Sequence, residues 1–131
     1  MSYLLDTNAV IALMEARRPL FDRVRRLAPS NFRVSTIVTH ELYFGAYHGR
    51  RTNETLERLD GLRFEILDFD SGDARRSAEI RAMLARNGTP IGPYDVLIAG
   101  QALNRGLTLI TRNTREFARV EDLVVEDWEG R

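Results

Sequence analysis

The chain contains no cysteine, which excludes disulfides, thiol nucleophiles and zinc–thiolate centres. It also contains no lysine, because all 19 basic residues are arginine. That removes Schiff-base chemistry and the phosphate-binding lysine of a P-loop. Arginine offers a planar fork suited to phosphate, but a complete replacement of lysine reads first as the bias of a GC-rich genome. Long apolar runs are missing as well. The longest, Ala9 to Met14, is far too short to span a bilayer, and no basic segment precedes an apolar one as in a signal peptide. A protein without membrane association, working in the cytoplasm, is the expectation. There is no Gly/Ser/Pro-rich linker, repeat or low-complexity segment, so the 131 residues read as one domain, 1–131, with a single core. The formal net charge is zero, so global charge does not announce nucleic acid as a partner.

Three acidic residues stand where burial should oppose them. Asp6 ends the apolar run Tyr3-Leu4-Leu5, Glu41 lies between Thr36-Ile37-Val38-Thr39-His40 and Leu42-Tyr43-Phe44, and Asp95 opens Val96-Leu97-Ile98-Ala99. An unpaired carboxylate in an apolar setting costs several kcal/mol or takes up a proton. Each has a plain structural reading. Asp6 can cap a helix at Ala9 and Val10, Glu41 can lie on a solvated face or pair with an arginine, and Asp95 can favour a helix N-terminus. The apolar stripe Ile98, Ala99, Ala102 and Leu103 makes the solvated reading a poor fit for Asp95. All three make sense together if they meet around a divalent cation.

Short apolar strands alternate with helices along the chain. Strands are expected at Tyr3–Leu5, Phe32–Val34, Phe64–Leu67, Leu107–Ile110 and Leu123–Val125. Helices are expected over Ala9–Glu15, Pro19–Leu27, from a Ser35 or Thr36 cap to Tyr47, from a Thr52 or Asn53 cap to Leu62, from an Asp70 or Ser71 cap to Arg86, and over Pro93–Asn104. The pattern predicts an α/β domain with a central, mostly parallel sheet of four to five strands flanked by helices. In such sheets the site lies beyond the carboxyl ends of the strands. Asp6 and Thr111-Arg112-Asn113 directly follow strands one and four, and Glu41 and Asp95 lie early in helices that start near the same edge.

The segments Tyr3-Leu4-Leu5-Asp6-Thr7-Asn8, Ser35 to Ala46, Ile91-Gly92-Pro93-Tyr94-Asp95-Val96-Leu97-Ile98-Ala99 and Leu109-Ile110-Thr111-Arg112-Asn113-Thr114-Arg115-Glu116-Phe117 carry a resemblance. In this order and spacing they resemble the PIN-domain ribonucleases of the VapC toxin type. The likeness extends to Ile80-Arg81-Ala82 and to the tail Val125-Glu126-Asp127-Trp128. Pro90-Ile91-Gly92 and Asn113-x-Arg115-Glu116-Phe117 resemble the group that cleaves initiator tRNA in the anticodon loop. The resemblance implies a PIN-like fold and an endoribonuclease dependent on Mg2+, with Mn2+ as a substitute. By position, Asp6 and Asp95 would be metal ligands and Glu41 would complete the site. Thr7, Asn8 and Thr111 would support the loops. Many PIN domains carry a fourth acid where this chain has Asn113. Asn113 could coordinate through its amide oxygen or hold a water, and Glu116 is a possible extra acid. A metal-activated water would attack the phosphodiester in line, leaving 5′-phosphate and 3′-hydroxyl ends.

On that reading His40 and His48 are not needed as an acid–base pair. Arg112 and Arg115 are the best phosphate contacts, whereas Arg50-Arg51 and Arg75-Arg76 read as solvated. Tyr43 and Tyr47 share a helix face with His40 and could stack bases, although core or interface packing is the commoner use of such a face. The implied partners are an RNA substrate, tRNA first, a cognate VapB-type antitoxin, operator DNA only through the antitoxin complex, and a second copy in a homodimer. A receiver domain or haloacid-dehalogenase-type phosphatase would share the sheet. The missing lysine and Asp6-Thr7-Asn8, where a phosphatase has Asp-x-Asp, count against both. A catalytically degenerate PIN domain serving as a binding scaffold is the remaining alternative, and Asn113 keeps it open.

Overall fold

Leu4 and Leu5 point to opposite faces of their strand, and both are fully buried. Burial on both faces requires helices on both sides, the condition of a parallel sheet. The computed structural model describes residues 1–130 and has that arrangement. The strands β1 (Tyr3–Leu5), β2 (Phe32–Ser35), β3 (Glu65–Leu67), β4 (Thr108–Ile110) and β5 (Val125–Glu126) form one sheet in the order β3-β2-β1-β4-β5. Every pairing is parallel. The chain steps from β1 outward to β2 and β3, then crosses back to β4 on the other side of β1, and the crevice of such a sheet opens at this reversal.

Register brings the carboxyl ends level. Leu5 is opposite both Val34 and Ile110, so the next residues, Asp6, Ser35 and Thr111, emerge side by side. The Asp6 amide still donates to the Ile110 carbonyl at 3.2 Å, and the Thr111 amide to the Glu126 carbonyl at 3.0 Å.

The helices are α1 (Thr7–Met14), α2 (Leu20–Arg25), α3 (Thr36–His48), α4 (Thr52–Asp60), α5 (Ser71–Arg86), α6 (Pro93–Asn104) and α7 (Thr114–Phe117). Helix α1 starts at Thr7, two residues before the expected Ala9, because Asp6 is itself the cap and accepts from the Ala9 amide at 2.8 Å. Ser35 caps α3 through the Ile37 amide. The expected cap of α4 at Thr52 or Asn53 is not formed. Arg51 holds that position without a side-chain bond, and the Thr52 hydroxyl donates instead to the Ala46 carbonyl. Strand β5 lies at Val125–Glu126, past the expected Leu123–Val125, because its pairing sets Val125 against Leu109 and Glu126 against Ile110. Helix α7 has no counterpart among the expected elements, since four residues are too few for a periodic signal.

Helices α5 and α6 form a close antiparallel pair. A Cβ built on Gly100 would lie 2.5 Å from the Ser77 Cβ, so only glycine fits that crossing. At one end of the pair Asp73 is fully buried. Its carboxylate accepts from Gln101 Nε2, Arg105 Nη2 and the Asp70 amide at 3.0 Å each, and from Asn104 Nδ2 at 2.9 Å. Burial alone would push Asp73 up, but Arg105 and the other donors outweigh it and hold the group at about 2. Phe32, Val34, Ile98, Leu109, Ile110 and Phe117 fill the core around the sheet, each such large side chain contributing about 1.5–3 kcal/mol. Among the described residues no helix is long and apolar enough to cross a membrane.

Candidate active site

Asp6 is 5% exposed, and one of its oxygens is committed to the first turn of α1. Helix capping and a place at the sheet edge therefore belong to one side chain. Glu41 projects from α3 on the neighbouring crossover and is half-buried. Its Oε1 accepts from the Thr7 hydroxyl at 2.9 Å, so Thr7 steadies Glu41 rather than the Asp6 loop. Asn8 is exposed. Asp95 stands in the first turn of α6, whose N-cap is Gly92 and whose first residue is Pro93. The Asp95 Oδ2 lies 3.0 Å from where a Cβ on Gly92 would be, so glycine keeps that space open for the carboxylate. Thr111 is buried at the end of β4 and its hydroxyl accepts from the Asn113 amide at 3.0 Å. Asn113 Nδ2 in turn donates to Glu116 Oε2 at 2.6 Å.

These acids feel one another. Burial pushes Asp6 up to about 6, with the charges of Glu129 and Glu41 adding to it against the Thr111 side chain and the Ala9 amide. Burial likewise pushes Asp95 to about 6, with Glu116, Asp6 and Glu41 adding to it in that order. The ion pairs among the described residues include none of Asp6, Glu41, Asp95 and Glu116. Asp6, Glu41, Asp95 and Glu116 thus gather near one sheet edge, Glu129 reaches Asp6 from the tail, and none of the five has an ion-pair partner among the described residues. One contributing group, Glu129, and one contact, that of the expected support residue Thr7 with Glu41, are not legible in the sequence. Glu129 comes to Asp6 from the C-terminal tail and its Oε2 is buried without a hydrogen-bond partner. Thr7 reaches Glu41 across 34 residues. No local pattern signals either.

The donor set is oxygen only, which suits a hard divalent cation. Among the described residues no three His, Asp or Glu side chains stand close enough to hold an ion unaided. Mutual repulsion spreads uncompensated carboxylates, and Mg2+ commonly takes one or two of them and keeps several waters. Uncompensated charge and donor chemistry therefore fit such an ion.

Around this centre Arg112 and Arg115 are exposed and outside every ion pair among the described residues. Arg51 pairs with Glu54 at 3.9 Å. Arg76 departs from the solvated reading, since its Nε is buried and unpartnered. The Tyr43 hydroxyl is tied to Asp60 on α4 at 3.1 Å. The aromatic pairs on this side are His40 with Tyr94 and Phe44 with His48, with centroids 5.8 and 5.4 Å apart.

Acids gathered at the carboxyl ends of β1 and β4 in a 3-2-1-4-5 parallel sheet fit a PIN domain, and the model of the PIN domain family matches residues 3–123. Over 98% of both chains the sequence is 40% identical to the tRNA(fMet)-specific endonuclease VapC of Salmonella typhimurium. It is 34% identical to Ribonuclease VapC2 of Rickettsia felis over 98% of this chain and 99% of that one. A chain in the crystal structure of DNA-bound VapBC from Salmonella typhimurium superposes with a TM-score of 0.92 at 38% identity, covering 98% of each chain. The chain belongs to the VapC family of PIN-domain proteins.

Proposed function

We propose that this protein is a ribonuclease toxin of a VapBC-type toxin–antitoxin system, a metal-dependent endoribonuclease that cuts tRNA, with the initiator tRNA anticodon loop as its target. The carrying observation is the convergence of Asp6, Glu41, Asp95 and Glu116 at one sheet edge, with no ion-pair partner among the described residues. Full-length likeness to an endonuclease named for tRNA(fMet) supports the substrate. Asp6 and Asp95 would hold Mg2+, or Mn2+ in its place, with Glu41 completing the site. Such an ion supplies a nucleophile at neutral pH and stabilises charge on the phosphoryl group. The chain's own contribution is placement. The Ala9 amide locks Asp6, the Thr7 hydroxyl locks Glu41, and Gly92 leaves Asp95 its space. Arg112 and Arg115, exposed and outside every ion pair among the described residues, would take the RNA phosphates on either side.

Relatives crystallised as VapBC complexes, one on a promoter fragment and one on DNA, support a VapB-type antitoxin as partner. Contact with operator DNA would then come through the complex. A groove floored by Ile11, Met14, Leu42 and Leu59, with Glu15, Glu41 and Arg58 among its lining, would offer an antitoxin segment an apolar floor and a rim of mixed charge. A homodimer working in the cytoplasm, where tRNA is found, completes the reading. The scaffold alternative rested on Asn113, and the presence of Glu116 beside Asp95 favours the enzyme.

The test is incubation of purified protein with a tRNA pool, with and without chelator, beside D6N and D95N. The expected result is discrete tRNA cleavage that chelator and either substitution abolish. Cleavage that survives chelation would overturn the metal reading in favour of 2′-hydroxyl attack.

A further inference from the structure

His40 directly precedes Glu41 on α3, and Tyr94 directly precedes Asp95 on α6. Their rings meet across the two helices, with centroids 5.8 Å apart and planes tilted by 54°. Resting on the ribonuclease reading above, we propose that Tyr94 is a stacking platform for an unpaired nucleobase beside the reacting phosphodiester, and that His40 is a positioning residue that holds its ring.

Helix geometry places the pair. Successive residues on a helix diverge by about 100°, so acids and rings leave each backbone in different directions. Glu41 and Asp95 are half-buried, whereas His40 is exposed and Tyr94 is 46% exposed. The two rings therefore form a rim next to the acids. Pro93 at the start of α6 and the buried Val96 fix the backbone that carries Tyr94.

The core does not account for this contact. Tyr3, Phe32, Phe64 and Trp128 pack on one another around the first residues of β1 and β2. The stack of Phe44 on His48 lies further along α3 and stays within that helix. Of the aromatic pairs among the described residues, only His40 with Tyr94 joins the two helices that carry Glu41 and Asp95. The polar ends of the pair are open as well. The Tyr43 hydroxyl is engaged by Asp60, but no hydrogen bond among the described residues uses the Tyr94 hydroxyl or the His40 imidazole.

An exposed aromatic face with an open polar end suits a partner that is itself flat, with polar edges, which is the chemistry of a nucleobase. Planes tilted by 54° cannot both lie against one base, so the base stacks on one ring while the other braces it. Tyrosine offers the larger face and adjoins a proposed metal ligand, so Tyr94 takes the base. A base in a duplex has both faces covered, so the platform selects unpaired loop nucleotides. It reads no sequence, because every base has a π-face.

The test uses a stem–loop RNA copied from the initiator tRNA anticodon arm, with 2-aminopurine at each loop position in turn. Titrating it with the full chain in chelator reads stacking without cleavage. Wild type should quench the fluorescence at one loop position. Y94A should abolish the quenching and weaken binding about tenfold. Y94L, which keeps apolar bulk without a π-face, should behave as Y94A, whereas Y94F and Y94W should keep both properties. H40A should weaken binding by a smaller factor, and Y94A/H40A should bind no more weakly than Y94A. In cleavage assays Y94A should raise KM with a smaller effect on kcat. Unchanged quenching in Y94A, or wild-type affinity in Y94L, would overturn the platform. A lower oligomeric state of Y94A in sedimentation, with RNA affinity unchanged, would assign the ring to a second copy and overturn it too. Wild type that quenches the loop in chelator yet never cleaves it with Mg2+ would sink the ribonuclease reading and keep the platform. Wild type that binds no RNA would overturn both.

Discussion

The Thr7 hydroxyl donates to the Glu41 carboxylate at 2.9 Å, joining the first turn of α1 to the middle of α3. Thr7 follows Asp6 directly, so one dipeptide anchors two acids of the centre. T7V should reduce RNA cleavage about tenfold by freeing Glu41, whereas T7S should keep most of it. The bond is to a charged group and half-buried, so the stability lost should be about 1–2 kcal/mol. Single-turnover rates and thermal melts on the same preparations separate the effects. Equal rates in T7V and wild type would exclude this role.

Asp6 serves both the helix and the site, and two substitutions divide those duties. Asparagine caps a helix about as well as aspartate, whereas alanine forfeits about 1 kcal/mol. D6N and D6A should both lose cleavage, but D6N should be the more stable of the two by about that amount. Denaturant titration measures the difference. A D6N protein as weak as D6A would show that the cap bond to Ala9 adds nothing.

Protonation should tune metal-free stability in two opposite ways. Asp6 and Asp95 are raised from 3.8 to about 6. Between about pH 6 and 4 the folded protein binds protons that the unfolded chain does not, so stability rises as pH falls through this window. Asp73 is lowered from 3.8 to about 2. Its contribution is complete above about pH 4 and is lost as pH falls from there toward 2. The melting temperature in chelator should therefore peak at about pH 4–5. D6N should raise the unfolding free energy at pH 7.5, where a buried charge without an ion-pair partner among the described residues is removed, by up to about 3 kcal/mol for a shift of this size. A melting temperature that climbs steadily from pH 4 to 7.5 would contradict this.

Gly92 is needed for space rather than for an unusual backbone. A Cβ there would meet the Asp95 Oδ2 at 3.0 Å, so the carboxylate would have to give by a few tenths of an ångström. G92A should lower cleavage several-fold, about 1 kcal/mol in the barrier, with little change in melting temperature. Since Pro93 comes next and the backbone is extended at Gly92, alanine is tolerated there as a fold. Undiminished cleavage by G92A would show that Asp95 can move freely.

The buried Asp73 cluster is a structural counterpart of the site. D73A would leave Arg105, Gln101 and the Asp70 amide without their shared acceptor. The loss should be about 3–5 kcal/mol, with cleavage per folded molecule unchanged at low temperature. A loss below about 1 kcal/mol would mean that water replaces the carboxylate.

Much of the fold is legible from residues in a row. Tyr3-Leu4-Leu5 announces a strand covered on both faces, Asp70 and Ser35 announce helix starts, and three acids beside apolar runs announce themselves as misplaced. These are local signals, in which side-chain type and spacing speak for the element that contains them. The sheet order decides the rest. Asp6, Ser35 and Thr111 come level only because β1 pairs with both β2 and β4 in one register, and no single segment encodes that pairing. The same holds for the Thr7 hydroxyl on Glu41, for Glu129 approaching Asp6 from the tail, and for α7, a single turn pinned by Phe117. Local chemistry alone thus nominated the acids. Long-range pairing brought them within range of each other's charge, because a carboxylate's environment depends on neighbours tens of residues away in the chain.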